Sequence, residues 1–316
     1  MRVLVAGASG VVGRQLIPQL ISAGHEVTGL ARSNGSVGGI DMMAVDALDP
    51  AAVSSAVERA EPDAIVHLLT AIPRRIDPKR IDEDFAMTNR LRTEGTANLL
   101  SAARRSGVGR IVAQGLGYAY DPHGPGVADE SVPLWRSPPR TFAPVLAALQ
   151  EMEAAVVESR GTVLRYGHLY GPGSSYAGDG SFIQQVRDRQ VPVVGGGTAT
   201  FSFIHSRDAA AAVVAALATP STGVFNIVDD APTKMGEWLP ELAARLGAPA
   251  PRRAPTFLAR VAVGGWGVAF MTQLRGADNT RAKQVLGWQP RIPSWRIGFD
   301  LELDLPTPYI SKEPLT

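Results

Sequence analysis

Three glycines near the start of the chain have the spacing of a phosphate-binding turn. Gly7, Gly10 and Gly13 follow the apolar run 2–6 and precede a helix-like pattern. Glycine permits the tight turn, the close approach of backbone to a pyrophosphate and the tight packing of helix on strand. The helix start adds free N–H groups and partial positive charge. Because strand, helix and next strand all flank it, we predict a dinucleotide site rather than an ordinary turn, formed by Gly7, Ser9, Gly10, Val11, Val12 and Gly13.

The residues after the second apolar run bear on the form of the dinucleotide. An acidic side chain at this position binds the ribose 2′-hydroxyl of NAD(H). Here the chain has Arg32 and Ser33 instead. A guanidinium pairs with a 2′-phosphate, and no carboxylate is present to repel it. We therefore expect NADP(H) bound by Arg32 and Ser33, with NAD(H) as the alternative; in a simpler interpretation Arg32 is a solvated loop residue.

The glycine turn requires a sheet behind it, and the apolar pattern supplies one. Short apolar runs alternate with segments of helical periodicity. The predicted strands are 2–6, 26–30, 64–69, 110–113, 162–166 and 225–228, and the predicted helices are 12–23, 86–105, 145–159 and 208–218. Such alternation indicates the α/β class, a doubly wound parallel sheet of Rossmann type with helices on both faces.

After Tyr170 the chain becomes rich in glycine and proline, which marks a boundary. We predict a dinucleotide-binding domain over 1–170, to which 200–230 returns. A smaller, discontinuous substrate domain is predicted over 171–199 and 231–305, followed by a tail at 306–316. The 14 uncharged residues 261–274 are too few for a membrane span, which needs about 20. They predict a buried helix of the smaller domain or a lid over the substrate.

Composition excludes several classes of protein. With 45% hydrophobic and 19% charged residues the chain can bury a full core. A net charge of +1 without a run of Lys or Arg argues against nucleic-acid partners. The absence of cysteine rules out disulfides and Cys-ligated metals, and we predict no metal site. No signal-peptide pattern follows Met1, so we expect a cytoplasmic protein. We also expect a monomer or homodimer that does not bind membranes.

Several further motifs occur in a fixed order along the chain. They are Val-Asp at 45–46, Ile-Val-His-Leu at 65–68, Gly-Thr-Ala-Asn-Leu-Leu at 95–100, Leu-Arg-Tyr-Gly-His-Leu-Tyr-Gly-Pro at 164–172, Phe-Ile-His at 203–205, Phe-Asn-Ile at 225–227 and Leu-Gly-Trp-Gln-Pro at 286–290. With these motifs the chain resembles the extended short-chain dehydrogenases/reductases of the epimerase/dehydratase group. The resemblance covers nearly the whole chain.

The resemblance implies an NAD(P)(H)-dependent enzyme and extends the cofactor site beyond the glycine turn. By position, Asp46 would reach the adenine, with Ala47 next to it. Tyr166 and His168 match the two residues that face the nicotinamide and the substrate. The backbone that would pass the ribose and phosphates is Leu68, Leu69 and Thr70.

The chain departs from this family at its catalytic residues. The family's serine or threonine position falls on Leu116, and its Tyr-x-x-x-Lys falls on Phe142 and Leu146. No Tyr-x-x-x-Lys occurs anywhere between residues 110 and 160. A phenylalanine cannot protonate an alkoxide, and a leucine cannot lower a phenol pKa or bind a ribose hydroxyl. The family's usual proton relay is therefore missing.

The substrate side departs as well. Nucleotide-sugar enzymes of the group keep an Arg where this chain has Phe201, and the usual Asn of a helix motif is Arg92 here. An aromatic residue suits a flat or apolar ligand better than a diphosphate. We therefore predict a small-molecule aromatic or apolar ketone as substrate, contacted by His168, Phe201, Phe142 and Leu116.

Without the triad, another group must stabilise the oxygen that receives hydride. A phenolic hydroxyl beside the ketone, within the substrate itself, would do so through an internal hydrogen bond. Of the protein groups, His168 is the first candidate, because an imidazole can donate a proton near neutral pH; in the alternative it only hydrogen-bonds the backbone. Tyr118 and Gln114 flank the lost serine position, and the alternative for Tyr118 is a packing residue.

This combination resembles the ketoreductases of aromatic polyketide antibiotic pathways that lack the triad. It predicts an NADPH-dependent ketoreductase of a large aromatic natural product, such as an angucyclinone-like polyketide. Two alternatives stay open. One is a redox-inactive sensor or regulator that binds NADP(H), and the other is an isomerase or cyclase that uses bound NADP(H) as a scaffold.

Overall fold

In the computed structural model, which describes residues 1–303, a parallel sheet lies at the centre of the molecule. The strands of the protein, in chain order, are β1 (Arg2–Ala6), β2 (Glu26–Ala31), β3 (Gly35–Val37), β4 (Ile40–Ala44), β5 (Ala64–His67), β6 (Arg110–Leu116), β7 (Thr162–Tyr166), β8 (His168–Tyr170), β9 (Val193–Val194), β10 (Thr200–Phe201), β11 (Phe203–His205), β12 (Gly223–Ile227), β13 (Thr233–Lys234) and β14 (Arg253–Ala254).

Helices connect these strands. In chain order they are α1 (Val11–Ser22), α2 (Pro50–Ala60), α3 (Ile81–Asp84), α4 (Ala86–Arg90), a π-helix (Leu91–Gly95), α5 (Thr96–Arg105), α6 (Ala143–Glu158), α7 (Ser181–Arg187), α8 (Ser206–Ala218), α9 (Met235–Arg245), α10 (Thr256–Thr272), α11 (Thr280–Leu286) and α12 (Trp295–Glu302).

The sheet runs β12-β7-β6-β5-β1-β2-β4-β3. All neighbours are parallel except β3 and β4, which form an antiparallel hairpin at one edge that the sequence pattern did not indicate. Helices α1 and α8 pack together on one face, and α2, α5 and α6 cover the other. The predicted doubly wound α/β fold is confirmed.

The helix after the glycine turn illustrates how the pattern produces this packing. Val12, Leu16, Ile17 and Leu20 are all buried and recur at helical spacing on the face toward the sheet. The helix ends at Ser22, and Gly24 follows with a φ of 77°, a conformation that favours glycine after a helix end.

The helix predicted over 86–105 is not continuous. It consists of α4, one π-helical turn and α5, and the π turn packs against α6. The apolar pattern runs through without a break, so nothing in it signals the wider turn, a local feature that often occurs at functional sites. Smaller differences occur at element ends, where β5 ends at His67, β6 extends to Leu116 and α6 begins at Ala143.

The described chain after Tyr170 forms six helices, α7 to α12, and strands β9 to β14. Strand β12 lies in the central sheet beside β7, and the other strands form three short two-stranded sheets, one of them with β8. Aromatic side chains fill the space between them; those buried include Tyr176, Phe201, Phe203, Trp238, Trp295 and Phe299. The predicted tail 306–316 lies outside the described residues. Within the described part of the chain, no helix combines the length and apolar character needed to cross a bilayer.

Helix α10 has two parts that meet at Gly264, where φ is 71° and the helix is kinked. The first part exposes Phe257, Leu258 and Val261 to solvent. The second part buries Trp266 and Met271 against the rest of the protein. The C-terminal end of the segment 261–271 is therefore buried, as the interpretation of a packed helix predicts. Gly264 kinks the helix within this segment.

Candidate active site

The residues predicted to bind cofactor and substrate follow the carboxyl ends of parallel strands. The glycine turn follows β1, Arg32 follows β2 and Leu68 follows β5. Tyr118 and His168 come just after β6 and β7. Because these strands are parallel neighbours, their carboxyl ends share one edge of the sheet, where ligands bind in open α/β folds.

The turn after β1 needs glycine for steric reasons. Gly7 has a φ of 91°, and its N–H donates to the carbonyl of Leu30 over 3.1 Å. A Cβ on Gly7 would lie 2.7 Å from the carbonyl carbon of Leu68, and one on Gly13 would lie 2.4 Å from the carbonyl oxygen of Ala8. These separations are below van der Waals contact, so any larger residue would displace the turn.

The start of α1 fits a pyrophosphate. The helix has no side-chain cap and no acidic residue in its first turn. The N–H groups of Val11, Val12 and Gly13 therefore lack acceptors within the helix, and Ser9 and Gly10 beside them are exposed. Uncapped N–H groups and the helix dipole are what a phosphate requires.

The residues assigned to the adenine end lie at the surface beyond β2 and β4. Arg32 and Ser33 are exposed directly after β2. Asp46 is exposed as well, with Oδ1 accepting from the N–H of Leu48 over 2.9 Å. The carbonyl of Ala47 accepts from Nδ2 of Asn98 over 2.9 Å, which ties this loop to α5. Arg32 and Ser33 are not covered by other side chains, so a 2′-phosphate could reach both of them.

The segment after β5 lies against the glycine turn. Leu68 donates its N–H to the carbonyl of Ala6, and Thr70 is exposed. His67 positions this segment: Nδ1 accepts from the N–H of Leu69, and Nε2 lies 2.9 Å from Oγ1 of Thr96. Burial lowers the pKa of His67 to about 4, so this histidine is neutral and structural.

Three rings form a stack on the substrate side. His168 lies between Tyr118, at a centroid distance of 4.6 Å and 11° from parallel, and Phe201, at 4.2 Å and 26°. Phe270 of α10 meets His168 edge-on at 5.4 Å. We call Tyr118, His168 and Phe201 the ring stack. Residues predicted from distant parts of the sequence are thus brought together.

Burial in this stack changes what His168 can do. It lowers the pKa of His168 to about 3, and Nε2 is buried without a hydrogen-bond partner in residues 1–303. The imidazole is therefore neutral near pH 7, and the expectation of a histidine that readily gives up a proton at neutral pH is corrected. The cause is desolvation by the surrounding rings, which disfavours the cation.

The position of the family's tyrosine is filled by packing. Phe142, at the start of α6, stacks on Trp266 of α10 at a centroid distance of 3.7 Å and an angle of 10°. Leu146 and Leu116 are buried as well. Trp266 in turn lies 5.7 Å from Phe270, which connects this pair to the ring stack. The four predicted substrate residues lie in or beside a single apolar region.

Two other candidates have less direct roles. The side chain of Tyr166 points into the core against α8, and its hydroxyl lies 3.3 Å from the carbonyl of Ala209. The side chain therefore packs in the layer of α1 and α8, and a contact of Tyr166 with the nicotinamide stays a prediction. Gln114 is half-buried on β6 beside Leu164, and its amide makes no hydrogen bond to the described residues.

Arg92 is a residue whose importance the sequence did not reveal. It lies on the π-helix and is 3% exposed, and its Nη1 has no hydrogen-bond partner in the described chain. Burial raises the pKa of Tyr118, and the charge of nearby Arg92 offsets part of that rise. The charge of Arg92 thus acts on a member of the ring stack. In the sequence, Arg92 stands out only because it occupies a motif position where the family has asparagine.

The structure also contains a cleft of about 710 Å³ between the loop 122–127 and the end of α10. None of the predicted site residues lines it. The apolar and cationic groups converge instead at the sheet edge, so we assign the chemistry to that region.

Comparison with known proteins identifies the family. The model of the NAD dependent epimerase/dehydratase family matches residues 3–228. The chain belongs to this family. It is 46% identical over 307 residues to a 3-diazoavenalumate denitrifying reductase of a Streptomyces species, covering 96% of this chain and 100% of that protein.

One further relative and one solved structure with the same fold are also similar to this chain. A Stigmatella aurantiaca 4-hydroxy-2-methyl-3-oxo-4-farnesyl-3,4-dihydroquinoline-1-oxide ketoreductase is 27% identical, covering 76% of this chain and 71% of the relative. The UDP-glucose 4-epimerase of Thermus thermophilus, solved with NAD, superposes with a TM-score of 0.73 at 24% identity, covering 96% and 98% of the two chains. The resemblance to extended short-chain dehydrogenases/reductases is confirmed, and the protein is an oxidoreductase of that group.

Proposed function

We propose that the protein is an NADPH-dependent reductase that replaces a diazo group on a flat aromatic substrate with hydrogen. The observation that carries this proposal is the packing of Phe142 on Trp266, where the family keeps its proton-donating tyrosine. The function must therefore suit a site that can direct hydride but lacks the family's proton-donating tyrosine.

Ketone and diazo substrates differ in their need for a proton. Hydride addition to a ketone leaves an alkoxide that must be protonated, and losing one oxyanion donor typically costs about 3 kcal/mol. For an aryl diazonium the balance is Ar–N₂⁺ + NADPH → Ar–H + N₂ + NADP⁺. The pair of the C–N bond departs with N₂, and the hydride supplies the pair of the new C–H bond. No proton is consumed, so no acid is required.

The residues predicted to bind the cofactor and those predicted to bind the substrate both suit this reaction. Val11, Val12 and Gly13 offer N–H groups to the pyrophosphate, and Arg32 offers a guanidinium to the 2′-phosphate. The ring stack offers flat apolar surfaces to an aromatic substrate. Exclusion of water by these side chains protects a diazonium from hydrolysis, a side reaction that closed sites suppress.

The relative named 3-diazoavenalumate denitrifying reductase supports the proposal, since it is 46% identical and aligned over its whole length. Its name specifies a diazo group, a carboxylate and a reduction. Reductase relatives favour redox chemistry over a sensor or a scaffold for isomerisation.

The second candidate is reduction of a ketone in a large aromatic natural product. The Stigmatella relative, named a ketoreductase, favours it. So does Tyr118, which carries a hydroxyl at the edge of the ring stack. Burial raises the pKa of Tyr118, which keeps the phenol protonated but makes it a poor acid.

The test uses purified protein, NADPH and 3-diazo-4-hydroxycinnamate, in parallel with a hydroxyanthraquinone ketone. NADPH oxidation, N₂ release and the arene product are measured, and the rate without enzyme is subtracted. With NADPH deuterated at the transferred position in ordinary water, we expect one deuterium on the carbon that carried nitrogen.

Deuterium from D₂O instead of from the cofactor would contradict direct hydride replacement. Turnover of the ketone without turnover of the diazo compound would overturn the proposal in favour of the ketoreductase. As a matched control, Arg59→Ala changes an exposed arginine in the last turn of α2, which is not among the predicted site residues, and should leave all rates unchanged.

A further inference from the structure

Arg92 is buried without a counterpart for its charge. The residue is 3% exposed, and Nη1 of its guanidinium is buried without a hydrogen-bond partner in the described part of the chain. A buried cation without a partner is strongly unfavourable, so such residues are paired, or bind an ionic ligand.

The carboxylate that acts on Arg92 is already engaged. Glu153 accepts from Arg165 through both oxygens, over 2.9 Å from Nε and 2.6 Å from Nη2. Arg165 also donates to the hydroxyl of Tyr120 over 2.9 Å. All three charged side chains are buried, which leaves two cations and one anion in this part of the core. The unmatched charge is that of Arg92.

The surroundings of Arg92 point to the substrate. The π-helix that carries it packs against α6, the helix that begins at Phe142. Its charge acts on Tyr118, the outer member of the ring stack, which is itself only partly buried. The guanidinium therefore lies on the helix that packs against α6, whose first residues follow Phe142 at the predicted substrate side.

We propose that Arg92 is the receptor for a carboxylate of the substrate, which makes the substrate an aryl acid. This rests on the proposed function, in that both assume an aromatic ligand at the ring stack. A guanidinium accepts a carboxylate through two parallel charge-assisted hydrogen bonds, and both are strengthened where water is excluded. The acid would neutralise the excess charge in this region.

The anionic groups of the cofactor have other partners. The pyrophosphate has the start of α1, and the 2′-phosphate has Arg32. The π-helix packs mainly against α4, α5 and α6. Arg92 is therefore assigned to the substrate and not to NADPH.

The experiment measures binding of an unreactive probe, 4-hydroxycinnamate, and of its uncharged methyl ester by calorimetry in the presence of NADP⁺. We expect the wild type to bind the acid about 10- to 100-fold more tightly than the ester. Arg92→Gln should remove this preference, and Arg92→Lys should keep part of it. Arg90→Gln, an exposed neighbour paired with Glu94, is the matched control and should bind like the wild type.

Thermal unfolding separates a ligand-binding arginine from a structural one. Because Arg92 has no partner in the described protein, Arg92→Gln should keep or raise the melting temperature while losing the acid preference. A melting temperature that falls together with equal losses for acid, ester and NADP⁺ would overturn the proposal. So would a wild type that binds acid and ester alike, or an Arg92→Gln variant that still prefers the acid.

The outcome is independent of diazo reduction. A protein that prefers the acid through Arg92 but fails to release N₂ would refute the proposed reaction and leave the carboxylate receptor standing. A protein that reduces the diazo acid and its ester equally well, in wild type and Arg92→Gln alike, would refute the carboxylate receptor and leave the proposed reaction standing.

Discussion

The two sides of the sheet edge are built differently. On the cofactor side the site consists of backbone: a turn fixed by glycines, the uncapped start of α1 and exposed residues such as Arg32. On the substrate side it consists of side chains, with Phe142, Trp266 and the ring stack packed on one another. One side is open and polar, and the other is closed and aromatic.

The difference explains which properties of the family are kept. A pyrophosphate is common to NAD(H) and NADP(H), and the glycine turn predicted to bind it has the family's spacing. The reaction depends on a few side chains at the other side, and these are replaced without disturbing the sheet. Under the proposed function, hydride chemistry is separated from the family's proton relay, and the substrate is one that needs hydride alone.

Removal of Trp266 would show whether the two sides are independent. Trp266→Ala removes the ring that covers Phe142 and should lower the free energy of unfolding by about 3–5 kcal/mol. The dissociation constant of NADPH should stay within about 3-fold of the wild type, because the predicted cofactor contacts are made by the glycine turn and Arg32 and not by this ring. Urea unfolding and fluorescence titration measure the two quantities.

The matched control is Phe257→Ala on the same helix, whose side chain is 71% exposed. It should change the unfolding free energy by less than about 0.5 kcal/mol. A large loss of NADPH affinity in Trp266→Ala would show that the aromatic side also shapes the cofactor site, and the separation would not hold.

Arg32 tests the cofactor side by itself. Arg32→Ala should weaken NADPH binding by about 10- to 100-fold, the effect of losing a charge-assisted contact, and leave NADH binding unchanged. Titration of the dialysed protein with both dinucleotides measures this. Equal affinity of the wild type for NADPH and NADH would mean that Arg32 is a solvated loop residue.

The sequence predicts the cofactor side of the site more fully than the substrate side. Local spacing suffices for the glycine turn, and apolar runs suffice for the sheet; the strand predicted over 162–166 is β7 to the residue. The contact of Phe142 with Trp266 joins residues far apart in sequence, and no local pattern encodes it. The π turn at Arg92 lies within an unbroken helical pattern, so its unpaired charge emerges only once α6 is packed against it.

The ring stack makes one further, smaller prediction, in the pH dependence of stability. Burial lowers the pKa of His168 from 6.5 to about 3 in the folded protein. The unfolded chain therefore takes up a proton first, and stability that is present above pH 6.5 is lost as the pH falls toward 3. At pH 5 the loss from His168 should be about 2 kcal/mol.

His168→Phe keeps an aromatic ring between Tyr118 and Phe201 and removes the titrating group. The difference in unfolding free energy between pH 7.5 and pH 5 should therefore shrink by about 2 kcal/mol in the variant, as measured by urea unfolding. Part of the acid sensitivity should remain, because burial also lowers the pKa of His67, to about 4. An unchanged difference would mean that His168 is solvated or hydrogen-bonded in solution, and the substrate side would then be more open than the stacked rings imply.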